Sequence, residues 1–413
     1  MEQRLLMIAY YFPPLGGAGV QRSAKFAKYL ARSGWRVEVV AAAPSLFEPL
    51  DPSLEQDVLS ERITIRRVGY HPPLRSLDRF PGGWRVRAAW EEWLVFPDRM
   101  RGWLKPAAAA AAEICDAYPG IPVYTTSAPY TAHLVGLNLK QRYGTPWIAD
   151  FRDEWSQNPY GKPPTRYHRR RHQAAEKMVL TGADAVVSVT DAITDGLRAM
   201  APEAAAVFAT IPNGFDPEDL NDVTKKAKGD FFTIAHVGTL NQERLRLLQP
   251  LFDALAAFIA AGKMPRVRLK LVGSGNPETQ RLRNYPWLEA LDCLPHHQAL
   301  ETMAASDLAI LAEANPAAFT GKIFEYLGLH LPVLGLVHPD SPAAALIRAA
   351  AAGWVAGPHH DGDLADILLH CYHRWEQGAE LVRLRGDVVQ RYNRECQARD
   401  LAALIQRIPY CPN

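Results

Sequence analysis

Four places along the chain combine residue types that could do chemistry on a phosphorylated ligand. In "FTGKIFEYLGLHLPVLG", Gly321 and Lys322 open a helix, Thr320 precedes them, and Glu325 follows one turn on. A cation at a helix N-terminus opposes the dipole by a few tenths to about 1 kcal/mol, a cost that makes sense if an anion sits between. Glu325 shares a face with Lys322, and a carboxylate beside a phosphate suits a sugar diol, because it accepts from both hydroxyls. The plainer alternative is a solvated Lys–Glu pair. "HVGTLNQERLRLLQPL" sets Gly238, Thr239 and Arg244 after another strand. "IADFRDEW" ends a strand on Asp150, Arg152, Asp153 and Trp155. Charges so close to a buried strand are costly unless paired or used. Either an Arg152–Asp ion pair fixes a loop, or a carboxylate there binds substrate or acts as a general base. The fourth place is "YYFPPLGGAGVQR", where two prolines and three glycines separate a strand from a helix. Bare backbone at a helix start suits an anion; a tight turn alone also needs glycine.

That loop is neither of the two familiar phosphate motifs. Arg22 stands where a dinucleotide fingerprint needs its third glycine, no acidic residue ends the next strand, and no G-K-[ST] follows. "GPHHDGDLADIL" offers His359, His360, Asp361 and Asp363, but the ligand set is incomplete for a hard cation, and an aspartate there reads better as a helix cap. Five cysteines lie scattered without C-x-x-C spacing, against a zinc site or a disulfide framework. The expectation is no metal and no tightly held cofactor.

Positioning these residues requires an alternating scaffold. Apolar runs that read as buried on both faces are "LLMIAYY", "VEVVAAA", "ITIRRV", "PVYTT", "PWIADF", "DAVVSV" and "AVFATI", with helical stretches between most of them. "IPNGFDPEDLNDVTKKAKGD" interrupts the pattern as a linker, and the alternation restarts with "FFTIAHVG", "RLKLVGSG", "DLAILAE", "LPVLGLV" and "GWVAGP". With 413 residues, the expectation is an α/β chain of two doubly wound domains, 1–213 and 214–391, with a last helix at about 392–413 returning to the first. Ligands of such sheets sit at the strands' carboxyl ends, where all four places fall.

Charge is nearly balanced overall but uneven. Residues 1–215 carry 26 basic against 21 acidic side chains, and 216–413 carry 20 against 23. Between Arg62 and Lys105 ten basic residues meet four acidic ones, and "RYHRRRH" adds four arginines, Arg169 and Arg170 among them. Trp84, Trp90, Trp93 and Trp103 interleave with arginines, a composition suited to an anionic membrane surface; the alternative is that the tryptophans are core. No nucleic-acid module is present. No signal-peptide layout and no run of 18 apolar residues occurs, so the expected location is cytoplasmic, peripheral on the inner membrane face.

The chain resembles a GT-B glycosyltransferase of the family 4 type. The resemblance rests on "YYFPPLGGAGVQR", "TSAPYTAHLVG", "DFRDEW", "GADAVVSVTDA", "IPNGFD", "HVGTL…R", "LVGSG" and "GKIFEYLGLHLPVLG", in family order over nearly the whole chain. It implies two Rossmann-like domains facing a central cleft, the acceptor on the first and the nucleotide sugar on the second. It further implies that Glu325 holds the ribose hydroxyls and that Arg244 and Lys322 neutralise the diphosphate. Thr320, Gly321, Gly238 and Thr239 lie with them. Gly273 and His296 would flank the base, and the Gly17–Gly19 loop would lend backbone N–H groups. Asp153 and His133 are the candidates near the acceptor, with Arg152 beside them; His133 is equally readable as a core histidine. The family often carries a glutamate eight positions before the ribose-binding one. Ala317 stands there, and Glu313 is the nearest carboxylate. The implied reaction transfers a sugar, from a UDP-sugar in the first place, to a lipid-linked glycan, with retention and without a metal. Fixed cations stabilise the charge that builds on the leaving diphosphate; if the reaction instead inverts, Asp153 becomes the base. The rival readings are a nucleotide-sugar epimerase or hydrolase of the same fold, and a non-catalytic partner subunit.

Overall fold

A parallel sheet covered by helices must bury both faces of its strands, so its strands read as continuous apolar runs, and the twelve runs above all form strands. A computed structural model describes residues 2–16, 18–44, 50–70, 79–158, 163–221, 223, 229–273, 285–315, 319–357 and 361–408. The chain divides into two compact units, Met1–Asn213 with Arg394–Asn413, and Gly214–Asn393.

In the first unit the strands are β1 (Arg4–Ile8), β2 (Arg36–Ala42), β3 (Ile63–Val68), β4 (Val123–Ser127), β5 (Trp147–Phe151), β6 (Ala185–Ser188) and β7 (Val207–Thr210). They pair in the order β3-β2-β1-β4-β5-β6-β7, parallel throughout. Leu6 of β1 pairs with Glu38 on one side and Val123 on the other, and Asp150 of β5 pairs with Thr126 and Val187. The order reverses between β1 and β4. One core contains Trp103, Trp147 and Phe151; the other gathers Phe26, Leu30 and Trp35 with Leu401, Leu404 and Ile405 of the last helix, Arg394–Arg407. Each such aliphatic side chain, fully buried, contributes about 1.5–3 kcal/mol over leaving it exposed.

In the second unit the strands are β8 (Phe232–Val237), β9 (Val267–Val272), β10 (Leu288–Leu291), β11 (Leu308–Glu313), β12 (Val333–Val337) and β13 (Gly353–Ala356), in the parallel order β10-β9-β8-β11-β12-β13. Here the reversal lies between β8 and β11. Both sheets are Rossmann-like and doubly wound, as the sequence leads one to expect.

Two elements differ from the sequence reading. β10 carries no apolar run, because it is a four-residue edge strand with Glu289 exposed. The last helix, expected at about 392–413, runs over Arg394–Arg407, and a separate short helix, Gly386–Gln390, precedes it. The Phe215 N–H donates to Tyr392 O at 2.9 Å and Phe215 bridges Asn393, which diverts backbone groups that a continuous helix would use. Among the described residues, no helix is long and apolar enough to cross a membrane.

Candidate functional site

The second sheet brings the first two chemical stretches to its point of reversal, where the strand ends part and leave a crevice. Gly238 and Thr239 leave β8. They pack on Gly273, which leaves β9 at φ 99°; a Cβ there would lie 2.4 Å from Gly238 O, so only glycine fits. Asn241 caps the helix Gln242–Ala260, accepting from Arg244 N–H at 2.9 Å. The cap sets Arg244 in the first turn, from which its guanidinium donates to Thr239 O at 2.8 Å and to Glu313 Oε2 at 2.9 Å. Glu313 ends β11, so the pair spans β8 and β11. The carboxylate that stands nearest the family's donor-sugar position is thus Arg244's partner; Ala317 lies outside the described residues, as do Gly17, His359 and His360.

The second cluster centres on Glu325 in the helix Lys322–Gly328. Lys322 Nζ donates to Glu325 Oε2 at 2.9 Å, and His296 Nε2 to Oε1 at 3.1 Å. The Lys322 N–H reaches Thr320 Oγ1 at 3.4 Å, and Gly321 is exposed. The Glu325 side chain is only 12% exposed, so this is no solvated surface pair. Burial alone would raise its carboxyl; His296 and Lys322 outweigh that and hold it below the ordinary carboxylate range. In return the hydrogen bond to Glu325 raises the His296 imidazole above its ordinary value. Both cations of the site therefore already hold a carboxylate: Arg244 holds Glu313, and Lys322 holds Glu325.

Sequence reasoning passed over His236. It is buried in β8, donates from Nδ1 to Ile310 O at 3.1 Å, and burial lowers its pKa to about 4. A polar residue inside the apolar run "TIAHVG" was the available signal.

At the first sheet's reversal the structure changes the expected pairing. Asp150 does not pair with Arg152. It accepts from Arg22 Nε at 3.0 Å and Nη2 at 2.7 Å, from Tyr124 OH at 2.7 Å and from Thr126 Oγ1 at 2.8 Å. Asp150 is 0% and Arg22 1% exposed. Burial would raise the Asp150 carboxyl, but Arg22 and the hydroxyls hold it below its ordinary value. Arg152, from the end of β5, instead donates to the carbonyls of Gly19, Ser127 and Ala128. A Cβ on Gly19 would lie 2.7 Å from Arg152 Nη1, so the glycine makes room for this guanidinium.

Asp153 is exposed, whereas His133 is 0% exposed, with Nδ1 2.8 Å from Thr125 Oγ1 and its ring on Phe151. Burial lowers the His133 pKa to about 3, so it stays neutral. The structure does not bring the two together. Beside them a pocket of about 390 Å³ is lined by Glu91, Asp98, Tyr130, Trp155, Asn158 and His172. Its rim is the helix Gly83–Leu94, which exposes Trp84 by 56% and Trp93 by 52%. Trp90 is half-buried, and Trp103 is core. Trp93 O accepts from His168 Nε2 at 3.0 Å, and Arg171 lies over Phe96, which joins this helix to Arg166–Gly182 and its exposed Arg169 and Arg170.

Residues 16–214 match the family described as "Glycosyl transferase 4-like domain". No curated protein matches the chain in sequence. Solved structures match it in fold along nearly the whole length. A glycosyltransferase from Rickettsia africae is 16% identical with a TM-score of 0.66, covering 98% of each chain. Sucrose-phosphate synthase from Thermosynechococcus elongatus is 16% identical at 0.64, covering 98% of each. HepE of Anabaena, in complex with UDP, is 17% identical at 0.61, covering 98% of this chain and 99% of that one. The chain has the GT-B fold, and its residues 16–214 are similar to the glycosyl transferase 4-like domain.

Proposed function

We propose that the protein is a glycosyltransferase that moves a sugar from a nucleoside-diphosphate sugar, in the first place a UDP-sugar, to a lipid-linked glycan. The observation that carries this reading is the pair of cation–carboxylate clusters at the β8/β11 reversal. Glu325, already ionised by its neighbours, is set to accept from the two ribose hydroxyls. Arg244 and Lys322 are held in place by Glu313 and Glu325, close to where a diphosphate would follow. Such fixed charges stabilise the leaving diphosphate without reorganising as the bond breaks. Gly238, Thr239, Gly273, Thr320 and Gly321 shape the backbone of that site, and His296 stands between ribose and base. HepE is described as binding UDP, which supports the choice of base.

The first unit would take the acceptor. Asp153, exposed at the end of β5, is the residue available to orient or deprotonate an acceptor hydroxyl. His133, buried and neutral, would act by supporting the β4–β5 packing beneath it. The reading includes retention at the anomeric carbon, no required metal, and the Trp84–Trp93 helix with Arg169 and Arg170 resting on an anionic membrane surface.

The test is to incubate the protein with labelled nucleotide sugars and a membrane lipid extract. Label that moves into the lipid phase supports transfer to a lipid-linked acceptor. Release of free sugar at the same rate without lipid would replace this reading with that of a hydrolase. Unchanged donor, with no nucleotide bound, would replace it with that of a partner subunit.

A further inference from the structure

We infer that the pocket of about 390 Å³ in the first unit is a recognition site for an uncharged sugar ring of the acceptor, gripped by aromatic walls and by the Nε2–H of His172. This rests on the reading of the first unit as the acceptor side.

The walls are aromatic and fixed in place. Tyr130 and Trp155 stack with centroids 4.6 Å apart and planes within 6°, and the His172 ring packs on Phe96 at 4.9 Å. Tyr130 OH donates to Glu154 O at 2.6 Å, and the Ser156 N–H donates to the buried Glu176 at 3.0 Å. Asp98 accepts from the Thr131 N–H at 2.9 Å and from its hydroxyl at 2.8 Å. The pocket is therefore built before a ligand arrives, which lowers the cost of ordering it on binding. Mostly apolar walls with a few placed polar groups are what a small molecule needs, and the C–H face of a sugar ring is apolar surface for such walls to cover.

The polar groups decide which molecule. An indole only donates, and the Trp155 Nε1–H donates to His172 Nδ1 at 2.9 Å. Burial, with His168 and Arg171 close by, lowers the His172 pKa, so the ring is neutral and carries its one proton on Nε2. That N–H has no acceptor among the described residues. The acceptors are carboxylates: three of the four acidic residues between Arg62 and Lys105 line the pocket, Glu91, Glu92 and Asp98, with only one of the ten basic residues, Arg99. Glu91 holds Arg87 at 2.7 Å, which still leaves two carboxylates to one guanidinium and disfavours an anion. An ammonium only donates, whereas a hydroxyl both donates and accepts. A pocket that offers carboxylates together with a fixed N–H matches hydroxyls.

The experiment is saturation-transfer difference NMR on the full chain. The probes are the methyl glycosides of glucose, galactose, mannose and N-acetylglucosamine, with glucuronate and glucosamine as charged counterparts, and UDP. At least one methyl glycoside should bind wild type, and both charged sugars should bind roughly tenfold more weakly or worse. His172→Phe keeps a ring but no donor and should raise the concentration needed roughly tenfold. His172→Gln keeps an acceptor for Trp155 and a donor for the ligand, and should stay within about threefold of wild type. Glu92→Lys should narrow the gap between glucuronate and the glycoside. No binding of any glycoside to wild type would overturn the proposal, as would binding unchanged in His172→Phe, which places the sugar elsewhere. Glucuronate or glucosamine binding as well as the glycosides would overturn it too, by assigning a charged ligand. Near-UV circular dichroism shows that the first unit of each variant is folded. The UDP signal reports separately on the transferase reading, so either can fail without the other.

Discussion

Replacing Asp150 by asparagine puts a number on the first unit's buried charge network. The carboxylate accepts four hydrogen bonds, two of them from Arg22, at 2.7–3.0 Å and with no exposure to water. Asp150→Asn keeps the shape but turns an NH2 toward a former donor and leaves the Arg22 charge buried without a carboxylate, with Pro212 O and one amide oxygen as its acceptors. Removing one member of a buried pair costs about 3–5 kcal/mol, a large share of the 5–15 kcal/mol typical of a domain. Arg22→Met should cost less, about 1–3 kcal/mol, because Tyr124 and Thr126 still donate to Asp150 and the carboxyl can take up a proton. With its folded pKa then raised above the unfolded one, that variant's stability should fall as pH rises above about 4. The assay is urea unfolding followed by tryptophan fluorescence, since Trp147 lies in the same sheet, with both singles and the double variant. The double should be more stable than the summed singles by about 1–3 kcal/mol. A loss below about 1 kcal/mol for Asp150→Asn, or strict additivity, would refute the reasoning.

The His296–Glu325 contact carries a pH signature. His296 is raised in the folded state, so its contribution is complete below its unfolded value of about 6.5 and fades as pH rises through the folded value. Glu325 is lowered, so its contribution is present above about 4.3 and lost as pH falls through its folded value. The melting-temperature gap between wild type and His296→Gln should therefore be wider at about pH 5.5 than at about pH 8.5; a gap independent of pH would contradict it. Gly273→Ala must adopt φ 99° and push on Gly238 O. It should lose about 1–3 kcal/mol and weaken nucleotide binding, read by urea unfolding and titration calorimetry. On anionic vesicles each arginine near the surface is worth about 1 kcal/mol, so Arg169→Glu with Arg170→Glu should lower partitioning by roughly thirtyfold or more, measured by co-sedimentation against neutral vesicles.

The strands were legible because double burial leaves continuous apolar runs. β10 was not, because an edge strand with Glu289 outward looks like loop. The Lys322–Glu325 contact followed from helical spacing, which fixes which side chains meet three residues apart. The partners of the other charges did not. Arg22 meets Asp150 across 128 positions, and Arg244 meets Glu313 across 69. Such pairings are set by strand order, which no local pattern encodes. The same limit left an Arg152–Asp ion pair open, whereas Arg152 meets backbone carbonyls, Gly19 O among them, and Gly19 makes room for it.

The measurement closest to the central claim is thermal stability of wild type and Glu325→Ala against UDP, GDP, ADP and dTDP. A nucleotide that binds only the folded chain raises the midpoint by mass action. The account predicts that one nucleotide, UDP first, raises the wild-type midpoint. It also predicts that Glu325→Ala, without its ribose acceptor, loses most of that rise. No rise with any nucleotide in a folded wild type, or an equal rise in Glu325→Ala, would contradict the assignment of the β8/β11 reversal as the nucleotide-sugar site.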